Sequence, residues 1–600
     1  VNWRIGGNDV ESRTRWSRIG LAVLFSLFLI GLGLVFTRPL WRHAAECIPY
    51  ARVPMEGGEK GEFIMGDHFQ FQYILWLFRH KVVDGQGSLL TDPYQFSFPG
   101  EPMHRFTMYI PSAWPCHLAS LFTDSFLPFN LNIWVSFLLA GWATYLWIRR
   151  YVDTPGPAVL AAVIMAAFPY RLISMLGSSP TGFAMYLIPL GFWCIDGILD
   201  RRSHAWAFVA GFVPLLLTFG DMHCSYFFGM TLPAYLAFGY AARYAEWKAT
   251  PFKTFAKDQA LRWLIFSFGL IFMVAMVAFV RARILNPSVV QEGFSLKELQ
   301  IFSPTPYDLI IRNNPVTTRA IYPGFGIVAL AAFGLLYWSW KGTWERRWIV
   351  WAAALGLLGG YIIMVSPNSP WLIVYLGLRK IVPMFGKVRQ TGKLMVIMVP
   401  FLALLAALGL QAVLRLIPRP SWRHAVTALA ALVMILDFNP FQQIGVTCPA
   451  PTNAAYEHVY QERTPTEPIL CLPIWPGDSS YSSLYLYFAT RYPMPMMNMH
   501  HPAAPARYVT EIFESLKSLN KGEIADNTLS TLDQYGVRFI LIHKEVWPDK
   551  VSKGRPPEET VEKLTQTPWF RKVMDSYPII LLEYRAAGWE AEAAKAEGEE

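Results

Sequence analysis

KLMVIMVPFLALLAALGLQAVLR, residues 393–415, runs from Lys393 to Arg415 with no charged side chain between them. A helix rises about 1.5 Å per residue, so about twenty apolar residues match the ~30 Å hydrocarbon layer of a bilayer. The segment reads as a spanning helix. Working outward from it, comparable blocks recur near 17–37, 129–148, 156–170, 183–199, 205–220, 224–242, 263–281, 321–340, 348–366 and 422–437. The pattern predicts an α-helical polytopic membrane protein with about eleven transmembrane helices. Composition agrees: 53% of the residues are hydrophobic and 16% charged, against about a quarter charged in soluble domains. That excludes a soluble enzyme and a disordered, collagen-like or disulfide-scaffold protein. The first block is too long for a secretory signal and lacks a good cleavage site, although its flank is basic. Val1 suggests a processed or alternatively started N-terminus.

Orientation follows from the arginines. Arg4, Arg13, Arg15 and Arg18 precede the first block, which places the N-terminus in the cytoplasm by the positive-inside rule. Alternation then puts Arg149-Arg150, Arg201-Arg202, Lys248 to Arg262, Lys341 to Arg347 and Arg415 to Arg423 on the same side. These loops account for most of the net charge of +9, and no nucleic-acid partner is needed. The expected location is the cytoplasmic (inner) membrane, with residues 38–128, 282–320, 367–392 and everything after about 440 outside. Loops that long usually carry function. Within the spans ionisable residues are nearly absent; Asp196 reads as an interfacial ion pair with Arg201-Arg202. An ion-coupled transporter would place carboxylates at mid-membrane, so chemistry is expected on the outer face.

The first outer loop holds the densest set of candidates: Asp67, His68, Asp84, Asp92, Glu101, His104, Arg105 and Tyr109. DHFQFQYILWLFRH, residues 67–80, sets Phe71, Ile74, Leu75 and Phe78 on one stripe, as in a helix lying in the membrane interface. Asp67 at its start has two readings that stand together: a helix N-cap, or a partly desolvated general base. Asp221 and His223, with Asp67 or His104, offer donors for a divalent metal; the plain alternative is that Asp221 caps the sixth helix and His223 reaches the interface. Arg171, Arg281, Arg283, Arg319, Lys387, Arg389 and Lys393 fall at the outer boundary, against the charge trend. A phosphate headgroup held by guanidinium forks explains them, and so do salt bridges to Glu292, Glu298 and Asp308. PWLIVYLGLRKIVPMFG, 370–386, is broken by Pro383 and Gly386 and reads as an interfacial or re-entrant piece.

After 440 the blocks stop. Residues 441–585 read as a small extracytoplasmic α/β domain, with β-like runs at 468–474, 537–543 and 578–583 and helical patterns at 507–519 and 559–565. Residues 586–600 read as a disordered acidic tail. Tyr481, Tyr485 and Tyr487 suit either a sugar platform or, more simply, a packed core face. No GxSxG, P-loop, GxGxxG or HExxH occurs, so hydrolase, NTPase and dinucleotide readings lack support. In an oxidising compartment Cys448 with Cys471, and Cys47 with Cys116, are the pairs considered.

EFIMGDHFQFQY in the first loop, AAFPYRLISMLG after the third span and FSPTPYDLI in the second long loop carry a resemblance. GKVRQTGKLMVIMVPFLALLAALGL, LPIWPGDSSYSSLYLYFATRYPMP and YGVRFILIHKE extend it along the chain. Together they resemble the polytopic GT-C glycosyltransferases, in particular the bacterial YfhO and oligosaccharide-transferase-like group. The resemblance implies transfer of a sugar from a polyprenyl-phosphate donor to an outer-face acceptor. It implies Asp67 as the general base on the acceptor hydroxyl, and Arg171, Lys387 and Arg389 as loose matches to the residues that hold lipid phosphate. His68 follows Asp67 where several such families have a second acidic residue, which leaves metal dependence open. The expected partners are a membrane lipid and, through the outer domain, a protein. A non-catalytic scaffold or accessory subunit of the same fold is the second reading, and lipid or solute transport the third. The scaffold reading predicts that Asp67 serves only as a cap.

Overall fold

A computed structural model describes residues 11–586 except 53, 55–63, 65, 90, 99–108, 201–202, 245–247, 249–250, 284–293, 313, 315–316, 478 and 501–503. All the apolar blocks are helical, from the first helix Glu11–Phe36 to Pro420–Asp437. Among the described residues seven helices are long and apolar enough to cross a membrane: Ile19–Phe36, Leu127–Ile148, Pro155–Leu176, Pro180–Leu199, Phe252–Phe279, Trp344–Asn368 and Thr391–Leu416. His204–Gly220 and Phe325–Lys341 are shorter apolar helices. The protein is an integral membrane protein.

The helix Met395–Leu416 lies at the centre, with almost every side chain buried. It packs against Phe325–Lys341 at backbone distance: a Cβ on Gly409 would lie 1.9 Å from the Leu330 carbonyl oxygen. Small residues permit that approach where no aqueous hydrophobic effect drives helices together. Glu11–Phe36 and Phe252–Arg283 expose Leu21, Leu24, Leu264, Phe268 and Ile271. In a bilayer these apolar faces meet lipid. The third block is broken after Ala167, because Pro169 supplies no N–H and pushes Phe168 into extended backbone (φ −58°, ψ 133°). A second helix, Pro169–Leu176, then carries Arg171 inward. Residues 370–386 form the helix Leu372–Ile381 and a turn at Phe385–Lys387, held by the Tyr226 hydroxyl on the Pro383 carbonyl at 2.9 Å.

The segment after 440 contains a mixed sheet in the order β3-β4-β6-β5: Leu470–Leu472, Phe539–His543, Ile579–Tyr584 and Phe570–Ser576. β3 and β4 are parallel, and the other pairs antiparallel. β4 and β6 are buried along their whole length, which is why they read as continuous apolar runs. β5 went unpredicted. It is an edge strand with Arg571, Lys572 and Asp575, the charged composition that keeps an edge from pairing further.

The first loop and this segment are built into each other. β1, Ile48–Ala51, pairs antiparallel with β2, Gly445–Thr447. Cys47 and Cys448 form a disulfide across 401 residues of sequence, while Cys116 and Cys471 are buried thiols. The expected pairings are therefore corrected. The two strands choose the partners by bringing residues 47 and 448 to adjacent ends of one ladder. Buried Arg52 donates to the Phe438 carbonyl beside them. The helix Asp67–Val82 buries Phe69, Tyr73, Trp76 and Leu77 as well as Phe71, Ile74 and Leu75 of the predicted stripe, while Phe78 is half-buried. One side meets Phe129 and Phe183 of the bundle through Phe71, and the other meets Tyr487 through Phe69. It is sandwiched rather than afloat on an interface.

Replacing both Cys47 and Cys448 by Ser is expected to destabilise this junction by about 2–5 kcal/mol, the usual cost of losing a native disulfide. Thermal unfolding in detergent, with and without reductant, checks it. Reductant should move the wild-type midpoint toward that of the variant and leave the variant unchanged.

Candidate functional site

Asp67 is the first residue of its helix, and its side chain is exposed. The N-cap is Gly66, which has no side chain to cap with, so capping is not what Asp67 contributes. A carboxylate in a first helical turn is favoured by the helix dipole by about 0.3–1 kcal/mol.

Asp221 begins the helix Met222–Ala242 as its N-cap and accepts the Cys224 N–H at 2.8 Å. It also accepts the Thr181 hydroxyl at 3.1 Å. His223 Nδ1 stands 3.6 Å from the same oxygen, Oδ2, that accepts from Thr181. Burial by itself would raise the Asp221 carboxyl; hydrogen bonding and charge from His223, with Lys393 and the Cys224 N–H, outweigh it and bring it down to about 2. Asp221 is thus an anion at neutral pH.

Lys393 closes the group. Its ammonium lies 3.2 Å and 3.3 Å from the two His223 ring nitrogens and interacts electrostatically with Asp221, Arg389 and Asp67. It sits in the turn Thr391–Leu394 at the head of Met395–Leu416. A helix N-terminus disfavours a cation, and the attraction of Asp221 beside it is the main charge that offsets this. Arg389 stacks between Phe302 and Phe294, with its guanidinium 4.7 Å and 5.5 Å from the ring centres, and acts on both His223 and Lys393. Asp221, His223, Lys393 and Arg389 therefore gather where distant segments of the chain converge, and Lys393 also feels the charge of Asp67 from a third segment.

Other candidates lie elsewhere. His68 is buried against Phe69 and Tyr50, with ring centres 4.3 Å and 6.1 Å away. Lost hydration lowers its imidazole to about 3, so it is neutral and faces away from Asp67. Arg171 is fully buried, donating to the Ala166 carbonyl at 2.6 Å and the Ser136 hydroxyl at 2.7 Å. It thereby serves the carbonyl that the break at Pro169 leaves without its helical donor, and it does not join the group. Lys387 is exposed on a neighbouring turn. His104 lies outside the described residues, as do Glu101, Arg105 and the side chains of Arg281 and Arg283. Glu298 and Asp308 complete capping boxes with Ser295 and Thr305.

The metal reading needs Asp67 or His104 beside Asp221 and His223, and His104 lies outside the described residues. Among the described residues no three His, Cys, Asp or Glu side chains gather as ligands. At Asp221 and His223 the place of a cation is taken by the Lys393 ammonium.

Two cavities flank the helices. An apolar one of about 340 Å³ is lined by Phe78, Tyr109, Ile110, Pro111, Leu216 and Phe219. Next to its wall the Ser112 hydroxyl donates to the Gly220 carbonyl, one residue before Asp221, at 2.9 Å, and Tyr109 packs on Phe71 at 5.3 Å. The other, about 240 Å³, lies at the opposite end among Tyr235, Phe238, Arg243, Ile349 and Phe401. Asp196 is buried beside it. It accepts from the hydroxyls of Tyr151 (2.5 Å) and Tyr235 (2.9 Å) and pairs with Arg243 at 3.4 Å. The expected partners, Arg201 and Arg202, lie outside the described residues.

Neither a protein-family model nor a curated protein sequence matches the chain. Solved structures do. The arabinofuranosyltransferase AftD from Mycobacteria is 15% identical, with a TM-score of 0.56 over 94% of this chain and 40% of its own. A mutant of it gives 0.58 at 13% identity, over 94% of this chain and 41% of its own. The chain has the GT-C glycosyltransferase fold. It spans about two fifths of the length of AftD. The Archaeoglobus fulgidus oligosaccharyltransferase is similar at a TM-score of 0.43 and 13% identity, over 87% of this chain and 68% of its own. Cupriavidus metallidurans ArnT is similar at 0.39 and 11% identity, over 95% and 99%.

The candidate that sequence reading left out of the site is Lys393, seen only as one of several boundary cations. The available signal was a lysine at the head of a long apolar helix, where the dipole opposes it.

Proposed function

We propose that the chain is a membrane glycosyltransferase that moves a sugar from a polyprenyl-phosphate donor to an acceptor hydroxyl on the extracytoplasmic side. The observation that supports this reading is the cluster of Asp221, His223, Lys393 and Arg389, whose lysine ammonium also feels the charge of the exposed Asp67 carboxylate, on a bundle that carries an apolar cavity. Lipid-linked donors need apolar walls for the chain and cations for the phosphate. Asp67 removes the acceptor proton as the acceptor oxygen bonds to the anomeric carbon. The bond from that carbon to the phosphate oxygen breaks, and the leaving polyprenyl phosphate takes up the electron pair. Lys393 and Arg389 stabilise the charge that develops there. Asp221 and His223 hold Lys393 in place. A disulfide between the first loop and the C-terminal segment agrees with an oxidising, extracytoplasmic side for this end of the bundle.

The test is reconstitution in lipid nanodiscs with a radiolabelled polyprenyl-phosphate pentose, arabinofuranose first because of the structural likeness, and short oligosaccharide acceptors. Hexose donors follow. Label appearing in the acceptor is expected. Failure with every polyprenyl-phosphate sugar, in protein that retains its fold, overturns the reading.

A further inference from the structure

We infer that the C-terminal segment positions Asp67, and that Ser483 is the residue through which it does so. The consequence for rate rests on the transferase reading above; the mechanical link does not.

The Gly66 N–H, immediately before Asp67, donates to the Ser483 hydroxyl oxygen at 3.3 Å. Gly66 is the N-cap and can supply no side-chain acceptor of its own. The start of the helix is instead fixed from a residue 417 positions away in sequence. Ser483 is fully buried, and its own proton goes to the Ser480 carbonyl at 2.6 Å. Its oxygen is thereby oriented to accept. It opens the helix Ser483–Arg491, whose residues through Thr490 are buried, so the acceptor cannot drift.

The link is closed on the other side by a ring of hydrogen bonds. Tyr73, on the same helix as Asp67, donates to Asp92 at 2.5 Å. Gln95 donates to Asp92 at 2.9 Å and accepts the His500 N–H at 2.9 Å. The His500 Nδ1 lies 2.8 Å from the Ser482 hydroxyl, next to Ser483. The circuit runs from the helix through the first loop and the C-terminal segment and returns to the helix start. Buried hydrogen-bond networks of this kind favour one arrangement. A group that must reach an acceptor proton at hydrogen-bond distance needs that precision, since misplacement by about 1 Å costs about 100-fold in rate. The segment after 440 therefore needs no contact with substrate to be required for turnover.

Ser483→Ala and Ser483→Thr, made in the full chain in nanodiscs, test this with two readouts. Hydrogen exchange is expected to quicken about tenfold at the amides of residues 66–70 in Ser483→Ala, with the rest of the helix unchanged. Ser483→Thr, which keeps the hydroxyl, is expected to restore protection. With donor saturating, kcat is expected to fall about tenfold in Ser483→Ala with KM within twofold, and to recover in Ser483→Thr. Unchanged exchange at 66–70 in Ser483→Ala overturns the inference. So does equal loss in both variants, which assigns the effect to packing. If the wild type transfers no sugar, the transferase reading fails, and the exchange data alone decide the positioning role.

Discussion

Asp67→Asn is expected to lower the rate of sugar transfer by about 10²–10⁴-fold, the range over which a positioned acid or base contributes. The substitution is close to isosteric and lies at an exposed first-turn position. Its structural cost is the lost dipole interaction, about 0.3–1 kcal/mol at most. A fall of three orders of magnitude corresponds to about 4 kcal/mol of barrier and cannot come from that source. Donor binding should be unchanged, because the lipid phosphate is assigned to Lys393 and Arg389. Asp67→Glu keeps the charge but moves the carboxylate by one methylene, and an intermediate loss is expected. Initial rates with labelled donor in nanodiscs give the comparison. An Asp67→Asn enzyme that retains a third of wild-type kcat removes Asp67 from the chemistry.

Much of the helical framework is legible because its cause is local. A stretch such as 393–415 has no alternative to spanning once its length and lack of charge are known. Its rank among the helices is not local. Nothing within the segment says that Met395–Leu416 is central while Phe252–Arg283 is peripheral, since both are apolar enough to span. In lipid, hydrophobicity does not separate inside from outside, and the Gly334–Gly409 contact that does is a property of a pair. The interfacial reading of residues 67–80 failed for a related reason. Phe71 and Ile74 were placed on one face, but Phe69 and Tyr73 on another face also find cover, from Tyr487 and the segment around it.

The site divides in the same way. Asp221 as a helix cap is readable, because the cap acts within three residues. Asp67 and His68 are neighbours in sequence but about 100° apart around the helix, so one is exposed and the other buried. Cys47 and Cys448 could be matched only by knowing that β1 pairs with β2. Lys393 meets His223 across 170 positions, a separation that no spacing rule covers. Arg171 was conspicuous for its charge, yet its role follows from Pro169, two residues before it.

Lys393→Met is expected to lower kcat by about 10²–10³-fold, the usual effect of deleting one group that stabilises developing negative charge. The two carboxylates that Lys393 faces differ in burial, and that decides where the damage falls. Asp221 is buried and keeps the Cys224 N–H, the Thr181 hydroxyl and His223, so part of its stabilisation survives. Removing one partner of a buried pair costs about 3–5 kcal/mol when nothing remains, and a smaller loss is expected here. Asp67 is exposed, and water replaces the lost cation. The variant should therefore fold, and its rate defect should persist at saturating donor. Lys393→Arg keeps the charge but replaces a compact ammonium with a planar fork that cannot sit equally against His223 and both carboxylates; partial activity is expected. Lys380→Met removes a positive charge from the exposed end of Leu372–Ile381 and should leave the rate unchanged, separating local stabilisation from a general loss of surface charge. Rates across the three variants, with thermal midpoints measured in parallel, check this. If Lys393→Met behaves as Lys380→Met does, the leaving phosphate is held by Arg389 without Lys393, and the two carboxylates face a cation whose function is structural.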